Sequence, residues 1–254
     1  MSVGDSGGPV GTRVVDDDHL VALLQLGRQS VEQSGQNGGG SVGDDHQSKG
    51  FRDGHPRRGY PSRRMEIRPT RLDGLVHMAP AVHGDARGFF VETLRREQLL
   101  AVGIDVDFVQ HNHSRSAHGV LRGMHFSVGV GQAKLVRCAR GRILDVVVDV
   151  RRDSATYGEW ESFSLDDIEH DQLFIPVGFA HGFVVLSEIA DVVYLCSSYY
   201  DAEVERGFAW NDPDVAIDWP DVPIQVSDRD SAAPRLRDIA DELRFSLPDA
   251  TRPG

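Results

Sequence analysis

RILDVVVDV (142–150) decides the class of fold. Read with a period of two, it sends Val146, Val148 and Val150 to one side and Asp145, Val147 and Asp149 to the other. Short runs of the same kind surround it. Upstream lie GFFVETL (88–94), FVQHNHS (108–114), GVLRGMHF (119–126) and KLVRCARG (134–141). Downstream lie ESFSL (161–165), DQLFIPVGFAHGFVVLS (171–187) and DVVYLCSSYY (191–200). Gly and Asp punctuate them at nearly regular intervals. Many short strands at such spacing predict an all-β sandwich, jelly roll or barrel. Two short helices are expected, Arg95–Ala101 and Arg235–Arg244, and no repeat of fixed period is present.

The chain has 254 residues, of which 40% are hydrophobic, enough to build a packed core. Its formal net charge of −12 argues against a nucleic-acid partner, which would require a basic face. A few converging Arg and Lys side chains still suffice to bind an anionic ligand. Two cysteines, Cys138 and Cys196, are too few for a disulfide scaffold and read as buried strand thiols, so a reducing cytoplasm is expected.

Residues 1–64 differ in composition from the rest. They hold about half of the 27 glycines and include SGQNGGGSVGDDHQSKG. Such a segment buries too little surface to offset its ordering entropy, so a disordered leader is expected, with room for a short helix near Val21–Gln29. The N-terminus lacks a basic n-region, and its apolar run Leu20–Leu26 is short and follows three aspartates. It reads as neither a signal peptide nor a membrane span. The folded domain is expected to span 65–254.

The chain writes Arg almost everywhere and contains two lysines. One of them, Lys134, lies in QHNHSRSAHGVLRGMHFSVGVGQAKLVRC (110–138), the most His-rich region. A compact ammonium differs from a guanidinium where a point charge must meet an oxyanion. With Arg122 and His125 nearby, this stretch points to chemistry on an anionic substrate. In a regular strand Arg122 and His125 would face opposite sides. Gly123 between them permits a bulge that re-aims one side chain.

An isolated strand histidine is most often structural. SDRDSAAP (227–234) shifts that balance for His125, because Asp230 is able to act as the carboxylate partner that a histidine base needs. His181 in FAHGF reads either as a structural residue or as a pocket lining. Tyr194 reads either as a core tyrosine with a satisfied hydroxyl or as a proton donor. Arg87 and Glu92 flank a Phe pair in RGFFVE, which reads either as core packing, the default for both rings, or as a stacking surface for a flat base.

His111, His113, His125 and His181 could be assembled into a metal site. No Glu follows HNH at the spacing of a cupin metal motif, and a metal-free site is the stronger reading. SVGVG (127–131) lacks the ending of a phosphate loop, and no dinucleotide fingerprint or HExxH occurs.

Together these motifs resemble one family, the dTDP-4-dehydrorhamnose 3,5-epimerases, a metal-free branch of the cupins. DARGFFVE, FVQHNHSRSAHGVLRGMHF, QAKLVRCARGRILDVVVDVR, SATYGEW, FIPVGFAHGF, VVYLCSSYY, WNDPDVAIDWP and SDRDSAAP stand in family order between about Met65 and about Leu247. The resemblance implies a cupin-type jelly roll, a double-stranded β-helix. It implies epimerisation at C3 and C5 of a dTDP-4-keto-6-deoxyhexose, with no cofactor and no metal. The nearest alternative is a single-centre epimerase of another deoxysugar pathway. A metal-dependent cupin or a non-catalytic sugar-nucleotide binder would be further alternatives.

The resemblance also implies roles for matched positions. His125 looks like the base, Asp230 its carboxylate partner, Tyr194 the acid on the opposite face and Lys134 the cation beside the enolate. Arg87, Glu92, Gln110, Asn112, Arg122, His181, Glu205 and Arg229 match positions that hold nucleotide, diphosphate or sugar. Two departures stand out: His111 replaces a usually acidic residue, and Arg229 replaces a usual Lys. A homodimer is expected, with pockets shared between the chains, and neither nucleic acid nor membrane as partner.

Overall fold

The computed structural model describes residues 65–246. The leader and its expected helix lie outside the described residues. The described residues form thirteen strands: β1 Glu66–Arg68, β2 Val76–Ala79, β3 Val82–Asp85, β4 Gly88–Val91, β5 Gln110–Ala117, β6 Leu121–Ser127, β7 Lys134–Arg140, β8 Arg142–Asp149, β9 Trp160–Asp166, β10 Gln172–Ile175, β11 Phe179–Val185, β12 Ile189–Cys196 and β13 Glu205–Gly207. Helix α1 is Arg96–Ala101, α2 is Asp228–Ser231, and Leu236–Glu242 is a 3-10 helix. The chain therefore forms the expected all-β jelly roll with few helices.

Two antiparallel sheets carry the fold. One has six strands in the order β1-β2-β10-β7-β12-β5; the other has five in the order β13-β6-β11-β8-β9. The hairpin β3–β4 pairs only with itself. Alternation along β8 explains how the layers stack. Ile143 and Val147 face the six-stranded sheet and share a core with Val136, Cys138, Leu173 and Val192. Val146 and Val148 face the other way, beneath Phe208, Leu236, Ile239 and Leu243 of the C-terminal segment. Both faces of the strand are covered, which is why the run is so apolar. A third cluster, with Leu99 of α1 and Ile104 over Leu135 and Phe174, covers the outside of the six-stranded sheet.

Several expected boundaries move. The run 171–187 is two strands, because Pro176 withholds an N–H from a ladder and Gly178 turns at φ +94°. The run 88–94 stops as a strand at Val91, and 191–200 stops at Cys196 after starting at Ile189. The run 108–114 is displaced to Gln110–Ala117. The expected C-terminal α-helix is 3-10. Strands β1, β2, β3 and β13 are only three or four residues long, too short for periodicity to mark.

Candidate active site

The two sheets enclose a cavity of about 770 Å³. Its walls come from β5, β7 and β12 on one side, from β6, β11 and β13 on the other, and from the segment around α2. Ten of the twelve residues singled out from the sequence line it: Gln110, Asn112, Arg122, His125, Lys134, His181, Tyr194, Glu205, Arg229 and Asp230.

The bulge at Gly123 is present. His125 pairs across to His181, but Arg122 pairs to Phe183, so three steps on β6 oppose two on β11. Gly123 sits at φ +140°, a region that favours glycine. The extra residue brings Arg122 and His125 into one cavity despite their odd spacing. Arg122 Nε donates to Ser116 Oγ at 3.0 Å, which fixes its stem against β5.

His125 Nε2 lies 2.7 Å from Asp230 Oδ1, and the Gly123 N–H donates to Asp230 Oδ2 at 3.4 Å. Asp230 is buried, and its backbone is set by Ser227, whose hydroxyl caps α2 by accepting from the Asp230 N–H at 3.1 Å. The pairing expected between these distant positions is therefore in place. A carboxylate at this distance fixes the imidazole tautomer and orientation.

Tyr194 stands on β12, in the sheet opposite His125. Burial above all pushes its phenol upward, and Cys196 adds to this, so the hydroxyl keeps its proton through neutral pH. Lys134 is buried beside Cys196, its cross-strand partner. Burial pushes the ammonium downward, while Cys196 and Glu205 oppose that shift. Burial raises the Cys196 thiol, which stays an inert neutral group beside Lys134.

At the far end, Gln110 Nε2 donates to Asn112 Oδ1 at 2.9 Å, and Gln110 Oε1 accepts the Tyr200 N–H at 2.8 Å. Arg229 is paired with Glu205 at 2.6 Å, and its guanidinium borders the cavity. Cationic Arg122, Lys134 and Arg229 thus converge within a chain of net charge −12.

Two expected site residues are elsewhere. Arg87 is bound to Asp85 within the β3–β4 hairpin and its side chain is 90% exposed. Glu92 pairs with Arg95 at 2.6 Å. Neither lines the cavity of its own chain. His111 points to the opposite face of β5 from Gln110 and Asn112 and borders a small outer pocket, so its departure from the usual acidic residue falls outside the cavity. Among the described residues, no group of three or more His, Cys, Asp or Glu side chains is arranged to hold a metal ion. Nor is any described helix long and apolar enough to cross a membrane.

Sequence reasoning passed over Ser114, Gln132, Tyr200 and Ser227 in the cavity wall. It also assigned no role to Asp145, which lies 2.8 Å from His181 Nε2. A carboxylate in the middle of RILDVVVDV was the available signal.

Comparison with known proteins bears on this cavity directly. Residues 69–238 match the family described as dTDP-4-dehydrorhamnose 3,5-epimerase. The enzyme of that name from Pseudomonas aeruginosa is 46% identical over 169 residues, covering 65% of this chain and 93% of the relative. Its counterpart from Methanothermobacter thermautotrophicus is 48% identical over 151 residues, 59% of this chain and 82% of the relative. Among solved structures, the dTDP-6-deoxy-D-glucose-3,5-epimerase of Legionella pneumophila, in complex with dTDP-4-keto-L-rhamnose, is 42% identical. Its TM-score is 0.70, over 73% of this chain and 100% of that one. A 3'-monoepimerase from Streptomyces bikiniensis, in complex with dTDP-quinovose, is 38% identical with a TM-score of 0.66, over 70% of this chain and 92% of that one. The match spans both sheets and every strand that lines the cavity, and on that basis the chain belongs to the dTDP-4-dehydrorhamnose 3,5-epimerase family.

Proposed function

We propose that this chain epimerises C3 and C5 of a dTDP-4-keto-6-deoxyhexose, in deoxysugar synthesis of the dTDP-L-rhamnose type. The observation that carries this reading is the placement of His125–Asp230 and Tyr194 on opposite sheets around one cavity, with Lys134 between two strands of the Tyr194 wall.

The chemistry follows from those positions. A ketone at C4 acidifies the hydrogens on C3 and C5. His125 removes one as a proton, and Asp230 stabilises the imidazolium that results. The electron pair moves to the C4 oxygen, where the buried Lys134 ammonium offsets the developing enolate charge. Tyr194 returns a proton to the same carbon from the other face and inverts it. Solvent then takes the proton from His125 and returns one to the Tyr194 phenolate, and the same steps at the second carbon complete the reaction, with no net oxidation. Arg122 and Arg229 suit the diphosphate, Gln110 and Asn112 the nucleoside, and Glu205 and His181 the polar groups of the ligand.

A single-centre epimerase is the second reading. The 3'-monoepimerase relative is 38% identical, near the 42% of the two-centre relative, and the same base, acid and cation serve one carbon as well as two. Proton NMR of the 4-keto sugar nucleotide in deuterium oxide separates the two. Deuterium at C3 and C5 supports the first reading, deuterium at one carbon the second, and no exchange refutes both.

The assembly in this reading is a homodimer with shared pockets. Hairpin β3–β4 carries Arg87, 90% exposed in its side chain, and Phe90, 68% exposed, and it pairs with no other strand among the described residues. A two-fold arrangement gives each hairpin to the partner's cavity, where Arg87 and Glu92 find the ligand. Strand β1 has an open edge that invites the same pairing. Mixing His125→Ala with Arg87→Ala subunits tests this: recovered activity supports shared pockets, while a dimer without recovery removes them. The catalytic domain begins at Met65, and residues 1–64 are dispensable for turnover.

A further inference from the structure

Beside the His125–Asp230 pair lies a second one. His181 on β11 is the direct cross-strand neighbour of His125 on β6, and both line the cavity. Behind His181, Asp145 Oδ2 lies 2.8 Å from its Nε2. Asp145 is fully buried.

Packing does not account for an acid at that position. Asp145 falls on the face of β8 that also carries Ile143 and Val147, both members of the central core. Its cross-strand neighbours are Phe183 on β11 and Phe163 on β9. A valine or leucine would suit such surroundings. A carboxylate there is costly unless it is paired and hydrogen-bonded. Here only half of it is satisfied, since Oδ1 is buried without a hydrogen-bond partner among the described residues. Burial pushes this carboxyl upward, and His181 is the first group to oppose that shift, followed by its hydrogen bond and then by His77. Asp145 on β8 lies behind His181, and the titratable and charged groups that share the cavity wall with it include Arg122 and His125 on β6, Glu205 on β13, and Lys134 and Tyr194 in the opposite sheet.

We infer that Asp145 is a positioning residue for the reaction: it holds His181 with Nε2 protonated and its ring fixed, so that Nδ1 is the atom offered to the bound sugar nucleotide. This rests on the epimerase reading above. Asp145 touches no ligand and acts through His181 alone. One orienting carboxylate then stands behind each of His125 and His181. Asp230 serves the base; Asp145 serves the residue that sets the ligand against it. His181 is the only described hydrogen-bond partner of Asp145, so the loss of one should make the other redundant.

The test is a double-mutant cycle on the full chain, with Asp145→Asn, His181→Ala and the double variant. Asp145→Asn should lower kcat/KM roughly 10- to 100-fold, the scale of a mispositioned group, while affinity for dTDP stays near normal. Added to His181→Ala, it should cost little more. Equal losses in both backgrounds, or unchanged turnover in Asp145→Asn alone, would overturn the inference. A second measurement needs no variant. Nitrogen-15 NMR of the ligand-free protein should find Nε2 of His181 protonated, and an unprotonated Nε2 at neutral pH refutes the role. Absence of exchange in the unsubstituted protein would sink the epimerase reading instead, and the tautomer would still decide whether Asp145 sets His181.

Discussion

Gly123→Ala tests how the strand bulge builds the site. Gly123 has φ +140°, and a Cβ placed there would stand 2.5 Å from the Gly182 Cα and 3.1 Å from the His181 carbonyl oxygen. Both obstacles are backbone, so no flexible side chain can yield. An L-residue held in left-handed space loses about 1–2 kcal/mol, and overpacking a tight site adds about 1–3 kcal/mol. The expected loss of stability is therefore about 2–5 kcal/mol. Relief requires β6 to move away from β11, and that shift carries His125 and Arg122 with it. A displacement near 1 Å is enough to cost about 100-fold in rate. Urea unfolding gives the first quantity, and kcat/KM on the 4-keto sugar nucleotide gives the second. Stability within about 0.5 kcal/mol of the parent, together with normal turnover, would refute the reasoning.

Asp149 offers a pH test. Burial alone would raise its carboxyl, but the Arg151 guanidinium and the hydroxyls of Ser154 and Thr156, at 2.6 to 2.9 Å, hold it below the usual carboxylate range. A lowered folded value means stability that is present above the unfolded value, about pH 4, and is lost as pH falls through the folded one. Asp149→Asn should therefore cost about 1–3 kcal/mol at neutral pH, with the gap to the parent closing below about pH 4; a gap independent of pH contradicts this. A chain beginning at Met65 should melt and turn over like the full chain, because its leader is Gly-rich and lacks a core pattern. A large drop in melting temperature on truncation would show that the leader packs on the domain.

Much of the fold was legible because strand β8 alternates on both faces, and because Gly and Asp mark where most ladders stop, although the break at Pro176 within 171–187 was passed over. The bulge at Gly123 was legible too, since odd spacing between two polar residues with a glycine between them leaves few other ways to bring both into one cavity. The contact between Asp230 and His125 was anticipated because a histidine base would require a carboxylate partner. The region from Met65 through RGFFVE was legible as strand-like, but β1, β2 and β3 within it, and β13, were not marked one by one, since a strand of three or four residues gives too few alternations to read. The destination of Arg87 and Glu92 was also beyond reach. Their local pairing with Asp85 and Arg95 depends on the hairpin and the start of α1, and the role in the cavity proposed for them would need a second chain. Asp145 was visible as an acid in an apolar run, but its meaning came only when β11 placed His181 against it. That contact joins residues 36 positions apart.

The central claim is that His125 and Tyr194 serve opposite faces of the sugar ring. Tyr194→Phe tests it most directly, followed by proton NMR in deuterium oxide with the 4-keto sugar nucleotide. The base remains in this variant, so the account predicts continued deuterium entry at the carbons the parent exchanges, with inversion at those carbons abolished. His125→Ala, measured alongside, should lose exchange as well, by roughly 10²–10⁴-fold. Inversion by Tyr194→Phe at the parent rate would contradict the account, reducing Tyr194 to a core residue packed against Val192.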